Sequence, residues 1–358
     1  MKVLVTGGTG SLGYHILSSL FRDGIELHSF SNELPQPWQK VENVQYHTGN
    51  LLNFTETLEK IKQIQPDHVY HLASQSSVGI SYKKPFETLS TNLLGTQNLL
   101  EAIRQVTPKT KTLLLSSSEV YGRTTDLLTR LHKESDLPNP LTPYATSKAC
   151  MELLGNQFRN AYGLHIVIVR PFHFTGPHHS RRFAIPSITN QLVRIKKYGA
   201  EPVVISGSLD ISRDIVDVRD VARGTIQVMN SAESGEIFNI CSGKSYTFRE
   251  LVDLLVEIAD IDVDFFFDPN LERTNEIPLL IGNPEKIMNI GWKPMISIED
   301  SLRYSFNEIV VRNRKEKSLK GNKAKKIKDF QNRYARNRFF LNSLKFFEHQ
   351  LVAGWKSL

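Results

Sequence analysis

Tyr144 and Lys148 stand four residues apart and are the side chains of this sequence best suited to chemistry. On a helix this spacing puts them on one face, with about 6 Å between their Cβ atoms. A lysine ammonium near a phenol favours the phenolate, so it lowers the pKa of the tyrosine. An isolated pair of this kind is usually an ordinary surface pair, so its interpretation depends on the elements around it.

A glycine-rich stretch lies near the start of the chain. Lys2–Thr6 predicts a short buried strand, and a helical run from Tyr14 to Phe21 follows the stretch. Glycine permits positive φ and close backbone approach in such a turn, and a helix N-terminus presents free N–H groups to a pyrophosphate. A strand before and a helix after are the context that supports a dinucleotide site. We expect cofactor contacts at Gly7, Gly10, Ser11, Leu12 and Gly13.

The end of the second predicted strand, residues 25–30, bears on the choice of cofactor. An acidic residue there accepts a hydrogen bond from the adenosine ribose and favours NAD. The sequence has Ser31 and Asn32 there, the first acid is Glu33, and no arginine is placed to grip a phosphate. Nothing repels a 2′-phosphate, so we expect NADP(H) to be favoured over NAD(H). Further cofactor contacts are expected where two later strands end, at Asn50, Leu51, Leu72 and Ala73.

Strands and helices alternate through the first 170 residues, which predicts a Rossmann-type, doubly wound parallel sheet in an α/β protein. Lys111–Leu115 predicts a strand that runs into Ser117. The carboxyl end of such a strand faces the ligand crevice, so Ser117 is a candidate site residue. Asn92, inside a predicted helix over 85–105, would tie that helix to the sheet.

The alternation ends near residue 170, and this point predicts the domain division. We expect residues 1–170, joined again by 215–240, to form an NAD(P)-binding domain, and residues 171–310 to form mainly a smaller α/β lobe that binds the substrate. Residues 311–358 predict a basic tail with an amphipathic helix. Its apolar residues recur on one helical stripe, namely Phe330, Tyr334, Phe340, Leu344, Phe347, Leu351 and Trp355.

The net charge of +7 is unevenly distributed along the chain. Residues 311–358 contain 14 Lys or Arg against three Asp or Glu, so this tail carries +11 and the other 310 residues carry −4. A mildly acidic body argues against nucleic acid as a partner. Two cysteines make no disulfide framework, and neither a signal pattern nor a membrane-length apolar run is present. We therefore expect a cytoplasmic protein.

The glycine stretch, Ser117 and the Tyr144–Lys148 pair together resemble the extended short-chain dehydrogenase/reductases, which act mostly on nucleotide sugars. Over about residues 1–305 the chain resembles the GDP-4-keto-6-deoxymannose reductases and the related GDP-mannose 4,6-dehydratases. The stretches that carry this resemblance are 71–79, 117–122, 207–210 with Arg213 and Asp214, 217–221, 239–243 and 278–282.

The resemblance implies catalytic roles for four residues. Tyr144 would donate a proton to the 4-keto oxygen of the substrate while NADPH delivers hydride, and Ser117 would hydrogen-bond the same oxygen. Lys148 would hold the nicotinamide ribose and lower the pKa of the tyrosine. Glu119 matches a glutamate that takes part in water removal in the dehydratases, but the reductases often carry a glutamate there too. A glutamate without a chemical role is the other interpretation.

The resemblance also implies a GDP-sugar substrate. Arg213 matches a position near the nucleotide phosphates, while Arg273 and Glu276 match a loop against the nucleoside. Ser77 and Val78 belong to a matching stretch and are expected to contact the substrate. The sequence departs from the family after Pro171: His173 and Phe174 replace Asn-His. His173 either makes an equivalent hydrogen bond or alters the substrate. We expect no metal, since His178 and His179 lack further ligands at a suitable spacing.

Three functions stay open at this point. A reductase of a GDP-4-keto-6-deoxyhexose is favoured, a GDP-sugar 4,6-dehydratase with Glu119 as base is the alternative, and a non-enzymatic scaffold is the third. We expect a homodimer or a higher homo-oligomer. Residues 330–355 fit a helix docked on the body or on a second subunit, a peripheral membrane helix, or a helix that docks a partner.

Overall fold

The computed structural model describes residues 1–21, 24–123, 131–272 and 276–313 of the chain. Its strands are β1 (Lys2–Thr6), β2 (Glu26–Ser31), β3 (Val44–Thr48), β4 (His68–His71), β5 (Lys111–Leu115), β6 (His165–Pro171), β7 (His173–Thr175), β8 (Val203–Ser206), β9 (Ser212–Asp217), β10 (Ile237–Ile240), β11 (Ser245–Thr247), β12 (Asp264–Phe267) and β13 (Leu279–Leu280).

The α-helices among these residues are α1 (Ser11–Leu20), α2 (Phe54–Ile64), α3 (Val78–Lys83), α4 (Pro85–Leu89), α5 (Gly95–Val106), α6 (Pro143–Tyr162), α7 (Ala184–Tyr198), α8 (Val218–Ser231), α9 (Phe248–Ala259) and α10 (Glu285–Asn289). A π-helical turn, Ser90–Leu94, joins α4 to α5. Short 3-10 turns span Pro37–Gln39, Ser118–Tyr121 and Pro269–Leu271. Residues 298–309 are also helical.

Seven strands form one parallel sheet in the order β10-β6-β5-β4-β1-β2-β3. The winding reverses between β3 and β4, because β4 returns to the other side of β1. Ligands of open α/β sheets bind at the carboxyl ends of strands beside such a reversal. The predicted doubly wound parallel sheet is therefore confirmed.

Helices cover both faces of this sheet because its strands carry apolar side chains on both faces. Val3 and Val5 of β1 pack in the cluster that includes Ile16 of α1 and Val221 of α8. The intervening Leu4 belongs to the cluster on the opposite face, with residues of α2, α5 and α6. Adjacent strand residues point to opposite faces, so β1 supplies both cores. Each such fully buried aliphatic side chain stabilises the fold by about 1.5–3 kcal/mol.

The second sheet is built around β9. It pairs antiparallel with β11 and parallel with β7 and β13. The buried Asp214 carboxylate in β9 accepts hydrogen bonds from the backbone N–H groups of Ser242, Gly243 and Gly282, at 2.9, 2.9 and 3.3 Å. These bonds fasten two later segments to β9, and burial raises the pKa of Asp214. β8 and β12 form a separate parallel pair.

Residues 1–309 form one compact unit. Within this unit, α8 contacts α1 and β10 pairs with β6, so the chain returns to the main sheet after β9. The predicted division at residue 170 stays a prediction. No helix among the described residues is long and apolar enough to cross a membrane. The predicted amphipathic helix over 330–355 lies outside the described residues.

Candidate active site

The turn between β1 and α1 is shaped by the absence of side chains. Gly7 has a φ of +71°, and a Cβ there would lie 2.8 Å from the backbone N of Ala73. A Cβ on Gly13 would lie 2.5 Å from the carbonyl oxygen of Gly7. The Gly10 N–H donates to the same carbonyl at 3.0 Å. The structure thus brings Gly7, Gly10, Gly13 and the Leu72–Ala73 segment together at the carboxyl ends of β1 and β4.

Two residues of this turn have structural roles besides any contact with a cofactor. The Ser11 hydroxyl donates to the carbonyl of Pro177 at 3.1 Å, which joins the start of α1 to the segment after β7. Leu12 is 6% exposed and packs in the core, so its backbone is the part available to a ligand. Gly10 is the N-cap of α1 and supplies no side-chain cap to the helix N-terminus.

The carboxyl ends of β2 and β3 border a cavity of about 500 Å³, lined by Asn32, Thr48, Gly49, Asn50 and Glu56. The Glu56 carboxylate accepts the Asn50 N–H at 3.1 Å, and the Asn50 side chain accepts the Leu52 N–H at 3.0 Å. The Leu51 carbonyl accepts from the Asn98 amide at 2.8 Å. Asn50 and Leu51 are therefore held in a fixed turn beside the cavity.

Ser31, the last residue of β2, has a buried hydroxyl oxygen with no hydrogen-bond partner among the described residues. Buried polar atoms nearly always have a partner. In a Rossmann-type fold this strand end lies by the adenosine ribose. A neutral hydroxyl that lacks a protein partner fits a ligand oxygen at this point.

The Tyr144–Lys148 pair lies in the first two turns of α6. Thr142 caps this helix, since its hydroxyl accepts the Ala145 N–H at 3.0 Å. The Lys148 ammonium lies 5.9 Å from the centre of the Tyr144 ring and donates to the Leu115 carbonyl at 2.7 Å. Ser117 follows β5 and hydrogen-bonds the Tyr144 phenol. The three predicted catalytic side chains therefore meet at the carboxyl end of β5.

The pKa of Tyr144 is raised, whereas its spacing to Lys148 predicts a lowered pKa. Burial raises the pKa of Tyr144 to about 12, the Ser117 hydrogen bond opposes this effect, and the Glu119 charge adds to it. Burial also lowers the pKa of Lys148 to about 7, against the opposing charge of Glu152. Desolvation disfavours the charged form of both groups and is the largest cause of each pKa shift.

A buried ionic network below Lys148 was not foreseen from the sequence. The Arg170 guanidinium forms a bidentate pair with the Glu152 carboxylate at 2.9 and 2.6 Å. The same carboxylate bonds the Ser116 hydroxyl, the neighbour of Ser117. The Arg170 guanidinium also donates to the Tyr121 hydroxyl at 3.0 Å. Glu152 lies in α6 and Arg170 in β6, and nothing local in the sequence identifies the two residues as neighbours.

Asn92 lies in the π-helical turn and is completely buried. Its amide accepts the Gln75 N–H at 2.7 Å and donates to the Ser147 hydroxyl at 2.8 Å. It therefore ties this turn to the segment after β4 and to α6, next to Tyr144, rather than to a strand of the sheet. Ser77 caps α3 by accepting the Ile80 N–H at 3.3 Å, and Val78 is buried.

A carboxylate and an imidazole lie beside the catalytic residues. The Glu119 backbone N–H donates to the Ser117 hydroxyl at 3.2 Å. Nε2 of His173 lies 3.6 Å from Oε1 of Glu119, which is ion-pair distance when the imidazole is protonated. The side chain of Glu119 is 8% exposed and that of His173 is 29% exposed. The two predicted residues therefore lie next to each other, and the Glu119 charge is near enough to act on the Tyr144 phenol.

Arg213 and Glu276, which the sequence assigns to the nucleotide, form a direct ion pair. Arg213 is 1% exposed and also donates to the Ile277 carbonyl at 2.6 Å. The carboxylate is 24% exposed, so the pair opens to solvent on the glutamate side. Arg273 lies outside the described residues. No group of three or more potential metal ligands is found in the described part of the chain.

A glycine turn that admits no Cβ and an unpartnered Ser31 hydroxyl at the ribose position fit a bound dinucleotide. With Ser117, Tyr144 and Lys148 at the adjoining strand end, the fold and the site define an extended short-chain dehydrogenase/reductase. This class is consistent with the sequence of strand, glycine turn and helix at the start of the chain.

Residues 4–304 match the GDP-mannose 4,6 dehydratase family, and the chain belongs to this family. It is 33% identical over 316 residues to GDP-6-deoxy-D-mannose reductase of Pseudomonas aeruginosa, a match that covers 88% of this chain and 99% of that protein. The expectation of an enzyme is thereby confirmed.

Two solved structures extend the comparison. RMD from Pseudomonas aeruginosa, complexed with NADPH, is similar with a TM-score of 0.74 and 31% identity, covering 87% of this chain and 99% of that one. UDP-glucose 4-epimerase from Thermus thermophilus, complexed with NAD, is similar with a TM-score of 0.78 and 27% identity, covering 86% and 99%. Solved structures with this fold therefore include one complexed with NADPH and one complexed with NAD.

Proposed function

We propose that the protein reduces the 4-keto group of a GDP-4-keto-6-deoxyhexose with NADPH. The observation that carries this proposal is the Tyr144 phenol, hydrogen-bonded to Ser117 beside Lys148. It occurs in a chain similar to GDP-6-deoxy-D-mannose reductase over nearly the whole length of that protein. A site of this kind suits proton donation to a carbonyl oxygen that receives a hydride at its carbon.

Tyr144 acts as the acid in this proposal. Its pKa of about 12 keeps the phenol protonated at neutral pH. The proton moves only when the substrate oxygen becomes an alkoxide. Ser117 donates a second hydrogen bond to that oxygen and holds it in line with the phenol. The contribution of the protein itself to catalysis is to stabilise the negative charge that develops on this oxygen.

NADPH, when bound, supplies the hydride. Gly7, Gly10 and Gly13 would admit its pyrophosphate to the backbone, and Lys148 would hold its nicotinamide ribose. Preference for NADPH is supported by Ser31, a neutral residue where an acid would select NAD. Ser31→Asp tests this preference, because a carboxylate repels a 2′-phosphate and accepts from a 2′-hydroxyl. We expect the ratio of NADPH to NADH affinity to fall about tenfold or more.

The proposed contacts with the nucleotide part of the substrate are made mainly by charged side chains. Arg213 and Glu276 would bind the nucleotide, since a guanidinium suits phosphate oxygens and a carboxylate accepts from ribose hydroxyls. Ser77, Val78, His173 and Arg273 complete the proposed contacts. The names of the similar proteins support guanosine as the base, and a GDP-sugar is the substrate that we infer.

The test compares two reactions of the purified full-length chain. With NADPH and GDP-4-keto-6-deoxymannose, we expect equal loss of NADPH and gain of a GDP-deoxysugar. With GDP-mannose and catalytic NADP⁺, we expect no 4-keto sugar to form. Reduction that consumes no NADPH, or no reduction of the keto sugar at all, contradicts the proposal.

A 4,6-dehydratase is the second candidate function. Its support is the Glu119 carboxylate, which lies in the pocket of Tyr144 and could serve as the base that the elimination needs. A dehydratase regenerates its cofactor in each cycle, so it forms the 4-keto sugar from GDP-mannose without net change in NADPH. The paired reactions above therefore separate the two functions by stoichiometry.

We also propose that the chain works in the cytoplasm as a homodimer or higher homo-oligomer. Free Cys150 and Cys241 support a reducing compartment. Light scattering of the purified chain measures its mass in solution, and a monomer at all concentrations contradicts the proposed assembly. Residues 330–355 would dock on the body, on a membrane surface or on a partner, and vesicle binding with and without these residues separates the membrane alternative.

A further inference from the structure

Glu119 is a carboxylate in a pocket where a keto sugar would react. Its backbone N–H bonds the Ser117 hydroxyl, and the same hydroxyl bonds the Tyr144 phenol. Its charge is close enough to raise the pKa of Tyr144. A keto oxygen that meets Tyr144 therefore brings the carbons next to the carbonyl close to this carboxylate. Glu119 is 6% exposed, so little water screens it.

A carboxylate at this point could remove a proton from a carbon next to the keto group of the substrate. Hydrogen on a carbon next to a carbonyl is acidic, because the enolate spreads the charge onto oxygen. If Glu119 took this proton, the C–H bond would break, the electron pair would move into the carbonyl, and Tyr144 would stabilise the enolate oxygen. Return of a proton to either face of the enolate would give a mixture of configurations at that carbon. A side chain that holds the Glu119 carboxylate would slow this proton removal.

His173 is placed to restrain the carboxylate. Its Nε2 lies 3.6 Å from Oε1 of Glu119. Its backbone is fixed in β7, where it pairs with Ile215 of β9. The next residue, Phe174, packs against the core and stacks on His179 with 5.2 Å between ring centres. The imidazole therefore approaches Glu119 from an anchored strand, at a position where the resembling sequences carry the shorter asparagine.

We propose that His173 is a positioning residue that engages the Glu119 carboxylate and keeps it from acting as a base on the carbons next to the keto group. The inference rests on the proposed reduction of a 4-keto sugar. It explains how one pocket holds Glu119 and still preserves the stereochemistry of the substrate. The pair also favours reduction over elimination, since elimination needs the same carboxylate as a base.

The test measures hydrogen exchange rather than turnover. The full chain is incubated in D₂O with NADP⁺ and GDP-4-keto-6-deoxymannose, so no hydride is available, and deuterium in the sugar is followed by mass spectrometry. Wild type should exchange slowly. His173→Asn should exchange about tenfold faster or more, since a positioned general base contributes at least this factor. His173→Gln, whose longer amide still reaches Glu119, should stay close to wild type.

Adding Glu119→Gln to His173→Asn should return exchange to the wild-type rate. Equal rates in wild type and His173→Asn overturn the inference, as does fast exchange that survives Glu119→Gln or that His173→Gln also shows. Thermal unfolding and NADPH affinity, measured in parallel, should be the same in all variants. If wild type fails to oxidise NADPH with this sugar, the proposed function itself fails. If wild type reduces the sugar but exchange is the same in wild type and His173→Asn, only the proposed role of His173 fails and the proposed function stands.

Discussion

Two regions differ in construction: the turn at Gly7–Gly13, proposed to bind the cofactor, and the proposed substrate side, defined here as His173, Arg213 and Glu276. In the turn, backbone atoms approach so closely that a Cβ on Gly13 would lie 2.5 Å from a carbonyl oxygen. On the substrate side, charged side chains hold each other, and Arg213 meets a glutamate 63 residues away. One region depends on missing atoms within a short stretch, and the other depends on charge between distant segments.

This difference predicts that the two regions fail differently. An added methyl group should disrupt the turn whatever its charge. A loss of charge without change of shape should disrupt the substrate side. Substitutions that separate cofactor binding from substrate binding can therefore test the comparison directly.

The largest effect should follow from Tyr144→Phe, because Tyr144 is the proposed proton donor to the substrate. Removal of the phenol hydroxyl eliminates the proton donor while leaving the ring in place. We expect kcat to fall about 10²–10⁴-fold, with little change in the affinity for NADPH or GDP. A variant that keeps its full rate would remove Tyr144 from catalysis. Binding measured by titration calorimetry confirms that both regions are intact in the variant.

Gly13→Ala should break the turn alone. Its Cβ would collide with the backbone of Gly7 and Gly8, and overpacking of this kind costs about 1–3 kcal/mol. We expect NADPH affinity to fall about 10- to 100-fold, while GDP affinity stays near that of wild type. Gly79→Ala is the matched control, because the nearest heavy atom to its Cβ is 4.0 Å away. Normal NADPH binding by Gly13→Ala would contradict the proposed role of the turn.

Glu276→Gln should break the substrate side alone. Glutamine keeps the shape but loses the charge, so it accepts more weakly from the ribose hydroxyls that Glu276 is proposed to bind. A hydrogen bond to a charged group contributes about 1.5–3 kcal/mol, and the partial exposure of Glu276 favours the low end of this range. We expect GDP affinity to fall about tenfold and NADPH affinity to be unchanged. Equal losses for both ligands would show that the two regions are not separable.

The last prediction concerns pH and tests the role of Lys148. Burial lowers the pKa of Lys148 to about 7. An anionic cofactor raises that pKa, so binding takes up a proton. NADPH affinity should be greatest below pH 7 and should fall by up to about tenfold per pH unit above it. The decline ends at the pKa that Lys148 has in the complex.

Lys148→Met controls for the phosphate of the cofactor, which titrates in the same range. In this variant the decline above neutral pH should disappear, while any titration of the phosphate remains. Titration calorimetry across this pH range measures both. An unchanged decline in Lys148→Met would show that another group takes up the proton.

The parts of the molecule that the sequence predicts are those encoded locally. The parallel sheet and the meeting of Ser117, Tyr144 and Lys148 follow from patterns within short segments, since strand ends of a parallel sheet share one edge. The Glu152–Arg170 pair was missed, because its partners come from α6 and β6 and nothing local identifies them as neighbours.

The predicted pKa shift of Tyr144 was wrong for a different reason. The spacing to Lys148 was read correctly, but spacing carries no information on burial. In the folded chain, Tyr144 is 8% exposed and the Lys148 ammonium turns to the Leu115 carbonyl. Desolvation then decides the sign of the shift. The spacing predicts a phenol of lowered pKa, whereas burial in the folded chain keeps Tyr144 protonated at neutral pH.

The π-helical turn at Ser90–Leu94 makes this part of the chain sensitive to length rather than to composition. One extra residue in a turn is what distinguishes a π-helical turn from the α-helices on either side. Deletion of a single residue between Ser90 and Leu94 would let α4 and α5 merge into one regular helix. Since each residue advances an α-helix by about 100°, Asn92 would rotate away from Gln75 and Ser147. An engineer who shortens or lengthens this helix would alter the surroundings of Tyr144 without substituting any of the proposed catalytic residues.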